Sequence, residues 1–206
     1  MRARALLVLA GVAAAAAPGA AQTGATRPKS ETAVFAGGCF WGVDAVFRHV
    51  RGVMAVVSGY AGGGAATAHY DIVSTSTTGH AESVEVTFDP ARVSYEELLR
   101  VFFTVAHDPT ERDRQGPDEG TQYRSVVFYR TPEQLRAARA MIAGLEHDAA
   151  YPRPIATEVV PFERFYAAEA YHQDYLAHHR TSPYIVYYDL PKLKRLEERF
   201  PTLYRP

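Results

Sequence analysis

The residue with the clearest chemical potential is Cys39, the only cysteine in the 206-residue chain. It follows Gly37-Gly38 and precedes Phe40-Trp41-Gly42, between a short apolar stretch and a predicted helix. Glycines allow a sharp turn there, and free N–H groups at a helix start favour a thiolate over a thiol. The two aromatic residues either pack into the core or form an apolar pocket beside the sulfur. Such a pocket would suit a small apolar group such as a methyl.

Three further side chains could handle a proton or an oxygen atom near that sulfur. Glu82 directly precedes a predicted strand, and a carboxyl in an apolar pocket stays protonated and can donate a proton. A glutamate at a strand end is otherwise a surface residue. Asp118 and Tyr123 lie in a polar loop, where they are either turn and cap residues or members of a site. Spacing does not decide between these alternatives.

Charge and ligand patterns exclude several classes of function. The formal net charge of −1 gives no reason to expect a nucleic-acid partner. His172 and His179 would share one face of a predicted helix, but no cysteine or acidic pair completes a ligand pattern. We therefore expect no metal and no bound cofactor, and we expect a monomer.

The N-terminal 21 residues have the composition of a secretory signal peptide. Arg2 and Arg4 precede an uncharged apolar run, which Pro18 ends before a stretch of small residues. An uncleaved membrane anchor is the alternative, although the run is short for a span. Residues 22–30 are predicted to be a linker, and residues 31–206 a single catalytic domain. We expect an exported protein, periplasmic or secreted, with no membrane span after cleavage.

The elements around these residues follow an α+β pattern. Apolar and alternating stretches predict strands at 32–36, 53–58, 83–89 and 125–130, with helices at 40–49 and after Ser94. Strand, helix, strand, strand, helix, strand is the split βαβ, ferredoxin-like order. Ser94 and Glu97 form a capping box, and Pro132 opens an added helix that precedes a strand at 155–160.

The remaining segments are predicted less regularly. Residues 59–79 are expected to form a long loop, and residues 167–178 a helix. The last 30 residues are expected to wrap the core as loops and short helices.

Six segments, in order and at similar spacing, resemble the A-type peptide-methionine (S)-S-oxide reductases. The resemblance spans roughly residues 32–182. The segments are Gly38-Cys39-Phe40-Trp41-Gly42, Thr78-Gly79-His80-Ala81-Glu82, His107-Asp108-Pro109-Thr110, Arg114-Gln115-Gly116-Pro117-Asp118, Gly120-Thr121-Gln122-Tyr123-Arg124-Ser125 and Tyr171-His172-Gln173-Asp174-Tyr175-Leu176. The site residues that the resemblance implies are Cys39 as nucleophile, Phe40 and Trp41 around the methyl group, Glu82 as proton donor, Tyr70 and Tyr123 around the oxygen, and Asp118 in the loop.

The resemblance also implies a reaction. The thiolate would attack the sulfur of the S epimer of methionine sulfoxide, in oxidised proteins or free, and release methionine and a sulfenic acid. Many family members carry resolving cysteines near the C-terminus, whereas this chain has none. An external thiol or dithiol, such as a thioredoxin-like partner, would then have to reduce the sulfenic acid directly.

Three other functions fit the residues less well. A one-cysteine thiol peroxidase would also form a sulfenic acid, but such enzymes use a nearby arginine and a threonine before the cysteine. A Cys-His hydrolase could use His80 or His107 as its base, without support from spacing. A secreted domain that binds peptides through its aromatic residues would need no reactive thiol.

Overall fold

A six-stranded sheet forms the centre of the protein, whose computed structural model describes residues 30–206. The six strands of this sheet are β1 (Glu31–Gly37), β2 (Val53–Ala61), β3 (Ala81–Phe88), β6 (Ser125–Tyr129), β7 (Glu158–Pro161) and β8 (Phe165–Ala167). Two further strands of two residues each are β4 (Arg114–Gln115) and β5 (Asp118–Glu119). The order across the sheet is β7-β6-β1-β3-β2-β8, and only β6 and β7 run parallel. Strands β4 and β5 form a separate small hairpin.

Helices connect the strands in the ferredoxin-like manner that the sequence predicts. They are α1 (Phe40–Arg48), α2 (Tyr70–Val73), α3 (Tyr95–Val101), α4 (Pro132–His147), α5 (Tyr175–His178) and α6 (Leu190–Arg199). Helix α1 joins β1 to β2, and α3 with a following π-helical turn joins β3 to β6, giving the central order β6-β1-β3-β2. Helix α4 and strand β7 are the added helix–strand unit. The α+β prediction is confirmed.

Local sequence explains where several elements begin and which face they bury. The Ser94 side chain accepts the Glu97 N–H while the Glu97 carboxylate accepts the Ser94 N–H, so the predicted capping box starts α3. Val84 and Val86 alternate along β3 and are fully buried, on the face that packs against α1 and α3. The opposite face of the sheet carries a smaller apolar cluster that includes Val34 and Val126.

Two of the irregular predictions are wrong. In residues 59–79, β2 continues to Ala61 and α2 forms a short helix, so this stretch is not all loop. Residues 167–178 do not form one helix, because Asp174 adopts a left-handed φ of 50° before the four-residue α5. His172 and His179 therefore do not share a helix face. The C-terminal part is more helical than expected, since the π-helical turn Ile185–Asp189 runs directly into α6.

The predicted signal peptide at 1–21 lies outside the described residues, as does the predicted linker except for Ser30. Among residues 30–206, no helix is long and apolar enough to span a membrane.

Candidate active site

Cys39 lies at the turn between β1 and α1, where it is the N-cap residue of the helix. Gly38 precedes it with a φ of +86°, and a Cβ there would lie 2.5 Å from the Cβ of Gln115. Glycine is thus needed for both conformation and space, as the sequence predicts. The turn leaves Cys39 only 9% exposed.

The predicted thiolate is wrong for the protein without substrate. Burial, followed by the negative charges of Glu82 and Asp189, raises the pKa of the Cys39 thiol well above its usual value. The backbone N–H of Trp41 lowers that pKa, but by less. The cost of removing a thiolate from water is larger than the stabilisation that the start of α1 gives to the negative charge. Cys39 is therefore a thiol in the resting protein.

Glu82 is buried directly beside this turn. It lies in β3 opposite Tyr60 of β2 and is 2% exposed. Its Oε2 accepts the N–H of Phe40 at 3.0 Å, which joins the carboxyl to the first residue of α1. Burial raises the pKa of Glu82 to about 8, although the Phe40 N–H lowers it. At neutral pH the carboxyl therefore holds a proton that it can donate.

Phe40 and Trp41 form an aromatic group with residues of the C-terminal part. Phe40 is buried against His172, with ring centroids 4.9 Å apart. The Trp41 indole stacks on Tyr175 at 3.7 Å and 6°, and its Nε1–H donates to Nδ1 of His172 at 3.1 Å. His172 must accept at Nδ1, so its ring is neutral with the proton on Nε2. The orientation of Trp41 is therefore fixed by His172 and Tyr175, two residues that are distant from it in the sequence.

Tyr70 and Tyr123 lie near enough to Glu82 and Cys39 for the charges of both to act on their hydroxyls. Burial, then the charges of Glu82 and Cys39, raises the pKa of the Tyr70 hydroxyl. Burial and the charges of Glu82, Asp118 and Cys39 raise the pKa of Tyr123 in the same way. Both hydroxyls are therefore protonated and available as hydrogen-bond donors.

Glu169 holds the Tyr70 side of the site in place. One oxygen of its carboxylate accepts the Tyr70 N–H at 3.0 Å, and the other accepts the Tyr60 hydroxyl at 2.9 Å. The carboxylate thereby ties the start of α2 to β2.

Asp118 belongs to the small β4–β5 hairpin and accepts a hydrogen bond from the Tyr184 hydroxyl. Burial raises the pKa of Asp118, although the Tyr184 bond lowers it. The charge of Asp118 in turn raises the pKa of both Glu82 and Cys39. The structure thus brings all seven predicted site residues into one group around the sulfur.

A cleft of about 490 Å³ opens beside Cys39. One side is formed by residues 104–118, and the other by the segment 184–199, which we term the tail wall. We term the residues Phe40, Tyr60 and Glu82, on the inner side of the sulfur, the core wall.

Asp189 anchors the tail wall to α1. It is 1% exposed, and its Oδ1 accepts a hydrogen bond from Nζ of Lys192 at 3.2 Å. A Cβ at Gly42 would lie 2.1 Å from that same Oδ1, so glycine is required at this position of α1. Gly42 follows Cys39 by three residues and shares its helix face, which places Asp189 beside the thiol.

Sequence reasoning assigned no role to several residues that complete the site: His172, Tyr175, Tyr184, Asp189, Glu169 and Lys192. His172 and Tyr175 lie inside a segment that carried the family resemblance, so that signal could have identified them. For Asp189 and Lys192 no such signal exists.

Chemically, the group combines a thiol nucleophile, a buried protonated acid, two phenols and an apolar aromatic wall. No group of three or more His, Cys, Asp or Glu side chains in residues 30–206 is arranged to hold a metal ion. The arrangement can attack an electrophilic sulfur and protonate an oxygen leaving it.

Comparison with known proteins gives a consistent set of relatives. The family model for peptide methionine sulfoxide reductases matches residues 31–203. The chain is 54% identical over 177 residues to the peptide methionine sulfoxide reductase MsrA 2 of Mesorhizobium japonicum, covering 86% of this chain and 91% of that protein. It is 51% identical over 176 residues to the MsrA of Thermus thermophilus, covering 85% of this chain and 98% of that protein.

Solved structures are similar as well. The reduced form of Mxr1 from Saccharomyces cerevisiae superposes with a TM-score of 0.68 at 32% identity, over 75% of this chain and 88% of that one. Methionine sulfoxide reductase A of Corynebacterium diphtheriae gives a TM-score of 0.65 at 34% identity, over 75% of this chain and 77% of that one.

Proposed function

This chain belongs to the peptide methionine sulfoxide reductase family of oxidoreductases, and we propose that it reduces the S epimer of methionine sulfoxide with Cys39 as its nucleophile. The observation that carries the proposal is the buried pair of Cys39 and Glu82. The acid accepts the N–H of Phe40, the residue next to the nucleophile, and holds a proton at neutral pH because its pKa is raised to about 8.

The chemical step transfers one oxygen atom. The Cys39 sulfur attacks the sulfoxide sulfur while Glu82 protonates the sulfoxide oxygen, and the thiol proton restores the acid. The protonated oxygen then moves to the Cys39 sulfur, so that the S–O bond of the substrate and the transient bond between the two sulfur atoms break while an S–O bond forms on Cys39. Cys39 ends as a sulfenic acid, oxidised by two electrons, and the substrate ends as methionine, reduced by two.

The two phenols support the oxygen during this step. Tyr70 and Tyr123 keep their protons because burial raises the pKa of both hydroxyls. They can therefore donate hydrogen bonds to the negative charge that develops on the oxygen.

The aromatic pair explains the choice of epimer. Phe40 is fully buried, and Trp41 is fixed by its stack on Tyr175 and its hydrogen bond to His172. With the methyl group against these rings and the oxygen towards Glu82, only one configuration at sulfur fits.

Regeneration requires a thiol from outside the chain. Cys39 is the only cysteine among 206 residues, so no internal disulfide can form. A thioredoxin-like dithiol would attack the sulfenic sulfur with its first thiolate, releasing water and leaving a mixed disulfide. Its second thiol would then release Cys39 as a thiol and leave the partner oxidised.

Further parts of the proposal concern the setting of the enzyme. The signal-like N-terminus supports export to the periplasm or outside the cell. We propose that residues 31–206 act there as a monomeric repair domain, on oxidised proteins and on free methionine sulfoxide.

A single turnover without reductant tests the function. Intact-protein mass spectrometry should show Cys39 gaining one oxygen atom after exposure to the S epimer and none after the R epimer. Dimedone should label the oxidised protein, and a one-cysteine thioredoxin-like domain should be trapped on it as a disulfide. Cys39→Ser is the control and should stay unchanged. A wild-type protein that consumes peroxide but leaves the sulfoxide intact would instead be a thiol peroxidase.

A further inference from the structure

We propose that the cleft beside Cys39 is a subsite for the polypeptide that flanks methionine sulfoxide, and that it selects acidic residues near the sulfoxide. The inference rests on the proposed function and deepens it, since it names protein-bound methionine sulfoxide as the preferred substrate. Its basis is the size of the cleft, its charge and its position relative to the sulfur.

The cleft is larger than the reacting group requires. Its volume of about 490 Å³ lies within the range of roughly 300–1,000 Å³ that is typical of sites enclosing whole ligands. Cys39 forms part of its lining, and the tail wall contributes Tyr187 and Tyr188. These two rings are 74% and 44% exposed, so they offer apolar surface with polar hydroxyls to a bound main chain.

The far end of the cleft carries positive charge that the described residues do not neutralise. Lys192, Arg195 and Arg199 line the cleft at spacings of three and four, so they share one face of α6. Lys192 is paired with Asp189, and Arg199 donates to the carbonyl oxygen of Thr104 at 3.2 Å. Within residues 30–206, neither arginine forms an ion pair with a carboxylate.

The carboxylates on the opposite side of the cleft are already engaged. Asp108 pairs with Arg153 at 3.3 Å, and Asp118 accepts the Tyr184 hydroxyl. The field along the cleft therefore favours an anionic ligand towards Arg195 and Arg199.

The geometry of α6 predicts how far from the sulfoxide the acidic residue of the peptide should lie. Lys192 lies at the Cys39 end, and Arg199 is seven residues further on, or about 10 Å along the helix axis. An extended peptide advances about 3.3 Å per residue, so an acidic side chain about two to four positions from the sulfoxide reaches the arginines.

Peptide kinetics test the subsite. The substrates are N-acetyl methionine sulfoxide and matched peptides that carry Asp or Lys at the third position on either side of the sulfoxide. Wild-type enzyme should reduce one of the two Asp peptides with a kcat/KM about 5 to 10 times that of its Lys counterpart at low ionic strength. Added salt should lower this ratio because it screens exposed charges.

The variant Arg195→Glu should lower that ratio to about 2 or less, by removing an attractive charge and adding a repulsive one. Lys194→Glu is the matched control, because it makes the same change of charge at the adjacent position, outside the cleft lining. It should keep the wild-type ratio.

Each outcome has a distinct meaning. Equal kcat/KM for Asp and Lys peptides in the wild type, or equal effects of the two variants, would overturn the subsite. So would an effect of Arg195→Glu confined to kcat/KM for the thiol reductant, which would make the cleft the reductant's approach. If wild-type enzyme reduces N-acetyl methionine sulfoxide but shows no dependence on peptide charge, the subsite proposal is wrong and the proposed function stands. If the enzyme reduces none of these sulfoxides, the proposed function is wrong.

Discussion

The core wall and the tail wall face the same sulfur atom but are held in different ways. The core wall belongs to α1, β2 and β3, whose ladder places Glu82 opposite Tyr60, and its members are at most 2% exposed. The tail wall is a π-helical turn and a helix, packed on α1 through side chains such as Asp189, which lies against Gly42. The sheet therefore holds the acid that protonates the oxygen, whereas the tail wall lines the entrance to the sulfur.

The largest expected effect comes from the core wall. Glu82→Gln should keep the fold and lower kcat/KM by roughly 10²–10⁴-fold, because an amide cannot protonate the sulfoxide oxygen. Steady-state kinetics with the S epimer measure this. Glu85→Gln, the same change in the same strand at a partly exposed residue, should stay near wild type. Near wild-type turnover in Glu82→Gln would remove Glu82 from the chemical step.

The same residue should make activity and stability depend on pH. Its pKa rises from about 4.5 to about 8 on folding. Between these values the folded protein binds a proton that the unfolded chain has released, so the free energy of unfolding falls as pH rises. In Glu82→Gln this contribution is absent. The Tm of the variant should therefore rise relative to that of the wild type as the pH increases from 4.5 to 8. Parallel Tm profiles would contradict the raised pKa.

In the wild type, kcat/KM should also decline above about pH 8, as Glu82 loses its proton. A profile that stays level well above this pH would show that another group donates the proton.

A change at the junction of the two walls should have an intermediate effect. Gly42→Ala places a Cβ 2.1 Å from Oδ1 of Asp189 and 2.5 Å from Nζ of Lys192, which forces the tail wall away from α1. We expect a loss of about 1–3 kcal/mol in the free energy of unfolding, as for overpacked sites. Hydrogen exchange should increase in residues 184–199 before it increases in β3.

Gly144→Ala is the matched control for that change. This helical glycine has no heavy atom within 4 Å of the added Cβ, so the alanine should stabilise the protein by about 0.5–1 kcal/mol. If both variants behave alike, the Gly42–Asp189 contact does not hold the tail wall.

The smallest expected effect concerns the rings that orient Trp41. Tyr175→Leu removes a stack at 3.7 Å, and such aromatic pairs contribute about 0.5–1.5 kcal/mol. KM for the sulfoxide should therefore rise about 2- to 10-fold with little change in kcat. His179→Ala, which removes the stack on the other side of Tyr175, should change KM less. Equal effects would indicate a general loosening of the segment.

Local patterns predicted the core wall's framework because its determinants are close in sequence. Ser94 and Glu97 start α3, Gly38 turns the chain, and alternation identifies β3. The same kind of reasoning failed at residues 167–178, because distant contacts decide there. The Gln173 side chain bonds both the N–H and the carbonyl oxygen of Ser58, and Asp174 turns left-handed instead of continuing a helix.

The site was predicted unevenly for a related reason. The grouping of Cys39 with two aromatic residues was visible in one short segment. The protonation of that thiol was not, because its pKa is raised by burial and then by the charges of Glu82 and of Asp189, which lies 150 residues further along the chain. Glu82 was assigned its role only through the family resemblance, although it lies on the face of β3 that also buries Val84 and Val86.

The attachment of the tail wall has an evolutionary consequence. Buried side chains such as Ile185 and Leu196 hold the segment 184–199 in the core, whereas Tyr187 and Tyr188 are exposed along the cleft. These exposed positions can therefore diverge without disturbing the ladder between β2 and β3. Substitutions there would exchange the molecules admitted to the sulfur while the oxygen-transfer step stays the same. A lineage could in this way acquire new substrates or a new electron donor from mutations confined to one C-terminal segment.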